Sequence, residues 1–182
     1  FINKEGRVVV PCQYKTVHHF YEGRAFVQED DGTYFGFINK KGEQIIPCIH
    51  HLIWEGVGLY YNHNFSNGLV PVRKDNEWRC QCGYINENGD YVTPLKYSRA
   101  ELFQEGLAAV RNKNWGFINT KGEEVISLMY SDVGYFSEGL AAVKVKQQWG
   151  FIDKTNTIVI PCKYQEVRTF SEGLAAVTVN KK

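Results

Sequence analysis

Long apolar segments and a charge excess of either sign are both missing from this sequence of 182 residues. The longest uncharged apolar runs span only a few residues, which excludes a membrane-spanning helix. Lysine and arginine total 21 and aspartate and glutamate total 20. This balance argues against nucleic acid and against anionic lipid as partners. A basic segment followed by an apolar one is also missing, so no signal peptide is visible.

Helical periodicity is the next absence, since no window long enough for a helix shows it. What the chain does have is apolar and aromatic residues, 43% and 14% of the total. Such a composition excludes a disordered chain. The apolar residues occur in short β-rich runs separated by turn residues, which predicts an all-β fold.

Two phrases recur along the chain. Trp-Gly-Phe-Ile-Asn/Asp occurs at 115–119 and 149–153, with weaker copies at 35–39 and 82–86 and a partial copy at 1–3. Phe-Ser-Glu-Gly-Leu-Ala-Ala-Val occurs at 136–143 and 170–177, with weaker copies at 20–27, 65–72 and 103–110. We therefore predict five tandem repeats of about 35 residues each, numbered one to five from the first phrase to the second.

Each repeat predicts a β-meander. Asn39 and Gly42 suit the first and fourth positions of a hairpin turn, and Asn156 replaces the glycine in repeat five. The following strand is predicted to end at a proline such as Pro47, because proline cannot donate to a strand ladder. We expect the glycine of the Trp-Gly pair to let a large aromatic side chain lie over the neighbouring backbone. The segment that connects this strand to the second phrase is predicted to be either a short fourth strand or a single turn.

These phrases resemble the WG-containing repeat, also called the KWG repeat, of bacterial proteins. The resemblance covers nearly the whole chain, although Phe35 and Cys82 replace the tryptophan in two repeats. It implies a tandem array, often beside other domains, and it transfers no catalytic residue.

The repeats predict a single domain over 1–182, arranged as a propeller-like closed ring. Closure would pair residues 174–179 with 1–3, because these strand types are partners in every interior hairpin. The alternative is an open, solenoid-like stack of hairpins.

The five cysteines, Cys12, Cys48, Cys80, Cys82 and Cys162, do not suggest a disulfide framework, and reduced thiols favour the cytoplasm. An extracellular location stays open. Cys80 and Cys82 with nearby His50, His51 and His63 suggest zinc only superficially, because a one-residue spacing differs from the usual knuckle. We expect no metal and no cofactor. Ser66, Ser137, Ser171 and the glutamates of the Glu-Gly pairs are interpreted as turn residues.

An insertion at about 54–64 interrupts repeat two and carries Trp54, Tyr60, Tyr61 and His63. Insertions in repeat proteins map to loops on one face, often the binding face, and tryptophan and tyrosine supply strong contacts. The alternative is a loop that covers one end of the core. No catalytic motif is present, so we predict a non-enzymatic module that binds a protein or peptide. The alternative function is carbohydrate binding through the exposed aromatic rings.

Overall fold

The computed structural model describes residues 1–21, 23–29, 34–51, 65–76 and 79–179. Over these ranges the chain forms strands and turns and no helix, which confirms the all-β prediction. The described part accordingly holds no helix that could cross a membrane. The chain divides into two compact units, 1–95 and 96–182. Closure of the repeats into a ring is not shown.

The first unit is built on one seven-stranded antiparallel sheet whose spatial order follows the chain, as expected for a meander. The last two residues of its seventh strand belong to the second unit. Its strands are β1 (Thr16–Val17), β2 (Arg24–Gln28), β3 (Tyr34–Asn39), β4 (Gln44–His51), β5 (Leu69–Asn76), β6 (Arg79–Asn86) and β7 (Tyr91–Tyr97).

The second unit contains two four-stranded sheets and one strand pair. The first sheet has β8 (Arg99–Ala100), β9 (Leu107–Arg111), β10 (Trp115–Asn119) and β11 (Glu124–Tyr130); the second has β12 (Asp132–Val133), β13 (Leu140–Val145), β14 (Gln148–Asp153) and β15 (Ile158–Tyr164); the pair is β16 (Glu166–Val167) with β17 (Val177–Thr178). The two-residue strands β8, β12 and β16 show that the connector contains a short fourth strand.

The predicted hairpin turns form between the second and third strands of each meander. The Gly42 amide donates to the Asn39 carbonyl, and the Asn39 side chain accepts the amides of Lys41 and Glu43. Gly42 has a φ of 82° and Asn156, its counterpart in repeat five, a φ of 68°. Asparagine therefore takes the left-handed position that glycine takes elsewhere, as the sequence predicted.

The strand after three of these turns carries an irregularity that the sequence did not reveal. Trp115 of β10 pairs with Tyr130 of β11, and Phe117 pairs with Ile126. Between these two pairings β11 has more residues than β10. The same register shift occurs between β3 and β4 and between β14 and β15. Each of these outer strands is therefore bulged against its neighbour, which bends it and increases its local twist.

The bulge explains the glycine of the Trp-Gly pair. A Cβ added to Gly116 would lie 2.4 Å from the Ile126 carbonyl oxygen, and one added to Gly150 would lie 2.4 Å from that of Ile160. The glycine therefore makes room for the bulged backbone of the next strand and not for an aromatic ring, so that part of the prediction was wrong.

The prediction that the outer strand ends at proline was also wrong. β4 continues past Pro47 to His51, and β15 continues past Pro161 to Tyr164. Both prolines lie within the bulge, where the backbone has left the regular ladder. The missing amide hydrogen therefore does not stop the strand.

Each unit has its own apolar core. In the second unit it includes Trp115, Phe117, Ile126, Phe136 and Val143 of repeat four, and Leu107 of repeat three and Ile152 of repeat five belong to the same buried cluster. In the first unit one cluster is centred on the rings of Phe26, Phe35 and Phe37 and another on the side chains of Val10, Val27 and Ile38. Burial of large side chains at about 1.5–3 kcal/mol each makes these clusters the main source of stability.

Candidate functional site

The residues that the sequence singled out for binding are Trp54, Tyr60, Tyr61 and His63, and all four lie outside the described residues, as does the rest of the insertion at about 54–64. The candidate site is therefore built from the described residues of the second unit, where successive repeats contact each other.

The suggested metal residues are only partly described. Cys82 is buried in β6, opposite Arg73 of β5. The side chains of His50, His51 and Cys80 are not among those that the structure describes. Within the described part of the chain, no group of three or more histidine, cysteine, aspartate or glutamate side chains is placed to hold a metal ion.

The Glu-Gly pairs form tight two-residue hairpin turns. In the turn 137–140, the amides of Ser137 and Leu140 each donate to the other residue's carbonyl. Glu138 and Gly139 between them have φ angles of 53° and 79°. A turn with two left-handed residues normally takes asparagine or aspartate first, and another side chain there costs about 1 kcal/mol. The same turn recurs at 66–69, 104–107 and 171–174.

A contact between repeats accounts for glutamate at this strained position. The Glu105 carboxylate accepts the Gly139 amide of the next turn at 3.1 Å, and the Glu138 carboxylate accepts the Gly173 amide at 2.9 Å. The Ser137 hydroxyl also donates to the Phe170 carbonyl at 2.9 Å. The sequence led us to interpret these residues as solvated turn residues, whereas here they connect one repeat to the next.

Glu105 makes a second connection, to the hairpin turn of repeat five. The Lys154 ammonium lies 3.1 Å from the Glu105 carboxylate and donates to the Glu105 carbonyl at 2.9 Å. Slight burial alone would raise the pKa of Glu105, but the hydrogen bonds from Lys154 and Gly139 together outweigh it. The pKa therefore lies below its ordinary value.

Tyrosines at the end of the outer strands form a third connection. The Tyr97 hydroxyl donates to Glu124 at 3.2 Å, and the Tyr130 hydroxyl donates to the Asn156 side chain at 2.6 Å. Both rings are buried, and burial is the main reason why the pKa of each hydroxyl is raised. These hydroxyls consequently stay protonated as donors at neutral pH.

The main connection between repeats is the pairing of a Leu-Ala-Ala-Val strand with the next Trp-Gly strand. In the pair β13–β14, Leu140 lies opposite Asp153, Ala141 opposite Ile152 and Ala142 opposite Phe151. The pair β9–β10 has the same register. The incoming strand buries the apolar side chains, so Leu107 is only 9% exposed and Ile118 and Ile152 are 0% exposed.

Repeat five presents the same groups without these contacts. Leu174 is 77% exposed, and Val177 is exposed as well. Over the described ranges, β17 pairs only with β16, and no repeat contact is made by the Tyr164 hydroxyl, the Ser171 hydroxyl or the Glu172 carboxylate. We call this surface the open face; it consists of Tyr164, Ser171, Glu172 and the segment 174–179, which contains β17.

Sequence reasoning identified 174–179 as a strand in need of a partner, but it did not single out Tyr164, Ser171 or Glu172, because each of these residues looks ordinary by itself. Ser171 and Glu172 have the composition of a turn, and Leu174 that of a buried strand residue. The sequence does contain one signal, because comparison of the five repeats shows which positions recur at the boundary with the following repeat. Which residues pair across that boundary becomes clear only from the strand registers of the structure.

The described residues define a tandem β-repeat protein, in which strand pairing and turn side chains join each hairpin to the next. The sequence pattern of the WG containing repeat matches six segments, residues 1–34, 35–49, 63–78, 83–114, 115–148 and 149–182. The chain therefore belongs to the WG-containing repeat family. The matches at 35–49 and 63–78 leave residues 50–62 unmatched, which include most of the predicted insertion. No curated protein and no solved structure matches the chain.

Proposed function

We propose that this chain is a non-catalytic protein-binding module that takes up an extended strand of a partner at the open face. The observation that carries the proposal is the exposure of Leu174, 77% against 9% for the equivalent Leu107. An apolar strand edge of this kind is a template for strand addition, in which main-chain hydrogen bonds supply affinity and alternate side chains supply specificity.

The interior repeats indicate which strand would fit. Ala141 and Ala142 receive Ile152 and Phe151, so small residues on one strand are matched by large residues on the other. Ala175 and Ala176 occupy the same positions on the open face. The partner strand is therefore expected to carry an aromatic residue followed by a β-branched one, with a donor at its rim for the Glu172 carboxylate.

A non-catalytic role is supported by the chemistry of the described thiols. Burial, assisted by the nearby Glu29 carboxylate, raises the pKa of the Cys48 thiol to about 11. Burial also raises the pKa of Cys162. A nucleophilic cysteine needs the opposite shift, because the thiolate is the reactive form. Cys12, Cys48, Cys82 and Cys162 are free thiols, and we propose a reducing compartment such as the cytoplasm.

The closed, propeller-like ring and the open stack both remain predictions. A closed ring would pair the segment 1–3 with the segment 174–179, and an open stack would not. Carbohydrate binding also remains an alternative prediction, as does a contact role for the insertion, because Trp54, Tyr60, Tyr61 and His63 lie outside the described residues.

The test is titration of a capped peptide, Trp-Gly-Phe-Ile-Asn, into the isotope-labelled chain, followed by NMR. We expect weak binding, with a Kd of about 0.1–1 mM, because a short free strand must be ordered on binding. The shifted amides should lie in 174–179. Leu174→Asp should weaken binding at least tenfold, whereas Tyr135→Asp, at another exposed apolar residue, should leave it unchanged. Equal binding by the two variants would refute the proposal.

A further inference from the structure

We infer that Arg111, with Arg99 beside it, forms a binding site for the side-chain carboxylate of an acidic peptide. The site lies at one end of the sheet β8–β11, and all its residues belong to the second unit. It goes beyond the proposed function, because it is separate from the open face and does not require strand uptake there. Four observations support it.

The first is a pair of like charges in direct opposition. Arg99 of β8 lies opposite Arg111 of β9, and side chains at such positions share one face of the sheet. Like charges placed in this way repel each other, and an anion bound beside them relieves the repulsion. At the same position of the next sheet, Asp132 lies opposite Lys144. One sheet therefore has a carboxylate where the other has a second cation.

The second is the state of the Arg111 guanidinium. Within the described ranges no carboxylate pairs with it, and its Nε–H is buried without a hydrogen-bond acceptor. The side chain as a whole is partly exposed, so a ligand reaches the guanidinium at its Nη end. A partly buried cation attracts an anion more strongly than an exposed one, because less water and salt screen its charge.

The third is the position of Arg111 over an aromatic ring. Its guanidinium carbon lies 5.7 Å from the centre of the Trp115 ring, which belongs to the apolar core. Ser98 fixes the backbone at this end, since its amide and its hydroxyl donate to the Arg111 carbonyl at 2.8 and 2.9 Å. The guanidinium is therefore held in one orientation, and little side-chain entropy is lost when an anion binds.

The fourth is the charge balance around the pair. Glu101 follows Arg99 by two residues, so its side chain lies on the same face of the strand. Burial raises the pKa of Glu101, and the charge of Arg99 opposes that shift in part. Arg99 thus already interacts with one carboxylate, whereas Arg111 does not. With Glu101 ionised, the three groups carry one net positive charge, which a single bound carboxylate neutralises.

The next repeat indicates the chemistry of the ligand. The Lys144 ammonium lies 5.5 Å from the centre of the Trp149 ring, and Asp132 stands opposite on β12. The fold itself therefore places an aspartate side chain beside a cation that is stacked on tryptophan. Arg111 and Trp115 repeat the stack without the aspartate. Arginine also suits an external carboxylate, because its planar fork presents paired donors to both oxygens.

The experiment is NMR titration of the isotope-labelled chain with aspartate that is blocked at both ends by acetyl and amide groups. Blocked asparagine, at the same ionic strength, is the uncharged control ligand. The reporters are the Nε–H signal of Arg111, which burial protects from exchange, and the backbone amide of Trp115. Blocked aspartate should shift both signals saturably, with a Kd of about 10–100 mM for one charge-assisted pair. Blocked asparagine should shift neither.

Three variants locate the site, each followed at the Trp115 amide. Arg111→Gln should weaken binding by about tenfold or more, because the fork is lost. Arg99→Asp places a carboxylate opposite Arg111 and should weaken binding by a similar factor, because the internal carboxylate competes with the ligand. Lys144→Gln, the matched control, removes the equivalent cation of the next sheet and should leave the Kd unchanged. Far-UV circular dichroism checks that each variant is folded.

The inference is overturned if blocked asparagine shifts the same signals, or if Arg111→Gln or Arg99→Asp binds as the unchanged chain does. Equal weakening by Lys144→Gln would also overturn it, since the effect would then be one of overall charge. Inorganic phosphate that binds Arg111 about tenfold more tightly would reject a carboxylate as the ligand. The capped Trp-Gly-Phe-Ile-Asn peptide carries no carboxylate, so its titration tests strand uptake at the open face separately.

Discussion

The fit between glycine and bulge can be tested by a single methyl group at Gly116. In Gly116→Ala the new Cβ would lie 2.4 Å from the Ile126 carbonyl oxygen and 2.7 Å from the carbonyl carbon and oxygen of Ser127. All three atoms are backbone atoms, so no side chain can rotate away. An ordinary contact of this kind is about 3.4 Å or longer, and the bulge must therefore move by about 1 Å.

The expected cost follows from that displacement. Overpacking of a well-packed interior costs about 1–3 kcal/mol, and displacement of the bulge also weakens one or two ladder hydrogen bonds worth about 1 kcal/mol each. Replacement of a glycine recovers about 0.4–1 kcal/mol by restricting the unfolded chain. We therefore expect Gly116→Ala to lower the free energy of unfolding by about 2–4 kcal/mol.

The measurement is urea unfolding followed by far-UV circular dichroism and tryptophan fluorescence. Gly134→Ala is the matched control in the same unit, because its Cβ would meet only the Ala142 Cβ, at 3.4 Å, and the Ala142 amide nitrogen, at 3.9 Å. This control should change the free energy of unfolding by less than about 1 kcal/mol in either direction. If Gly116→Ala is as stable as Gly134→Ala, the bulge does not explain the glycine.

Three further predictions concern the connections between repeats and the thiols. Tyr130→Phe removes the hydrogen bond to the next hairpin turn and should cost about 1 kcal/mol in urea unfolding, whereas Tyr164→Phe, which lacks that contact in the described part, should cost less than about 0.5 kcal/mol. The pKa of Glu105 is lowered in the folded chain, so its contribution is present above the unfolded pKa of about 4.3 and lost at lower pH. Glu105→Gln should therefore lower the urea midpoint at pH 7 and not at pH 3, and equal effects at both would contradict the ion pair. Peptide mapping after alkylation at pH 8 should find the exposed Cys12 modified well before Cys48, whose pKa is about 11; the reverse order would contradict the burial of Cys48.

The local features of the fold could be predicted because they depend on residues close in sequence. Asn39 and Gly42 define a turn by their backbone preferences, and the replacement of glycine by Asn156 follows the same rule. The short fourth strand of the connector was also among the expectations. The repeated phrases led to the WG-containing repeat family, which the match along most of the chain confirms.

The features that depend on contacts between strands could not be predicted from one repeat. The bulge opposite Gly116 forms because β11 has more residues than β10 between the same two paired positions. The sequence does not reveal which residues of the two strands pair. Pro47 was assigned to a strand end for that reason. Glu138 looked like a solvated turn residue because its partner, the Gly173 amide, lies one whole repeat away.

The glycine beneath these bulges also has a consequence for the register in which the strands of a repeat pair. Repeats four and five carry nearly the same phrases, so a strand of one is chemically able to pair in the place of another or to slip by a residue. A slip by one residue would place Trp115 or Phe117 where the Ile126 carbonyl leaves no space for even a methyl group. The glycine therefore acts as a steric check on alignment, which penalises misregistered pairing during folding while the rest of the repeat stays uniform.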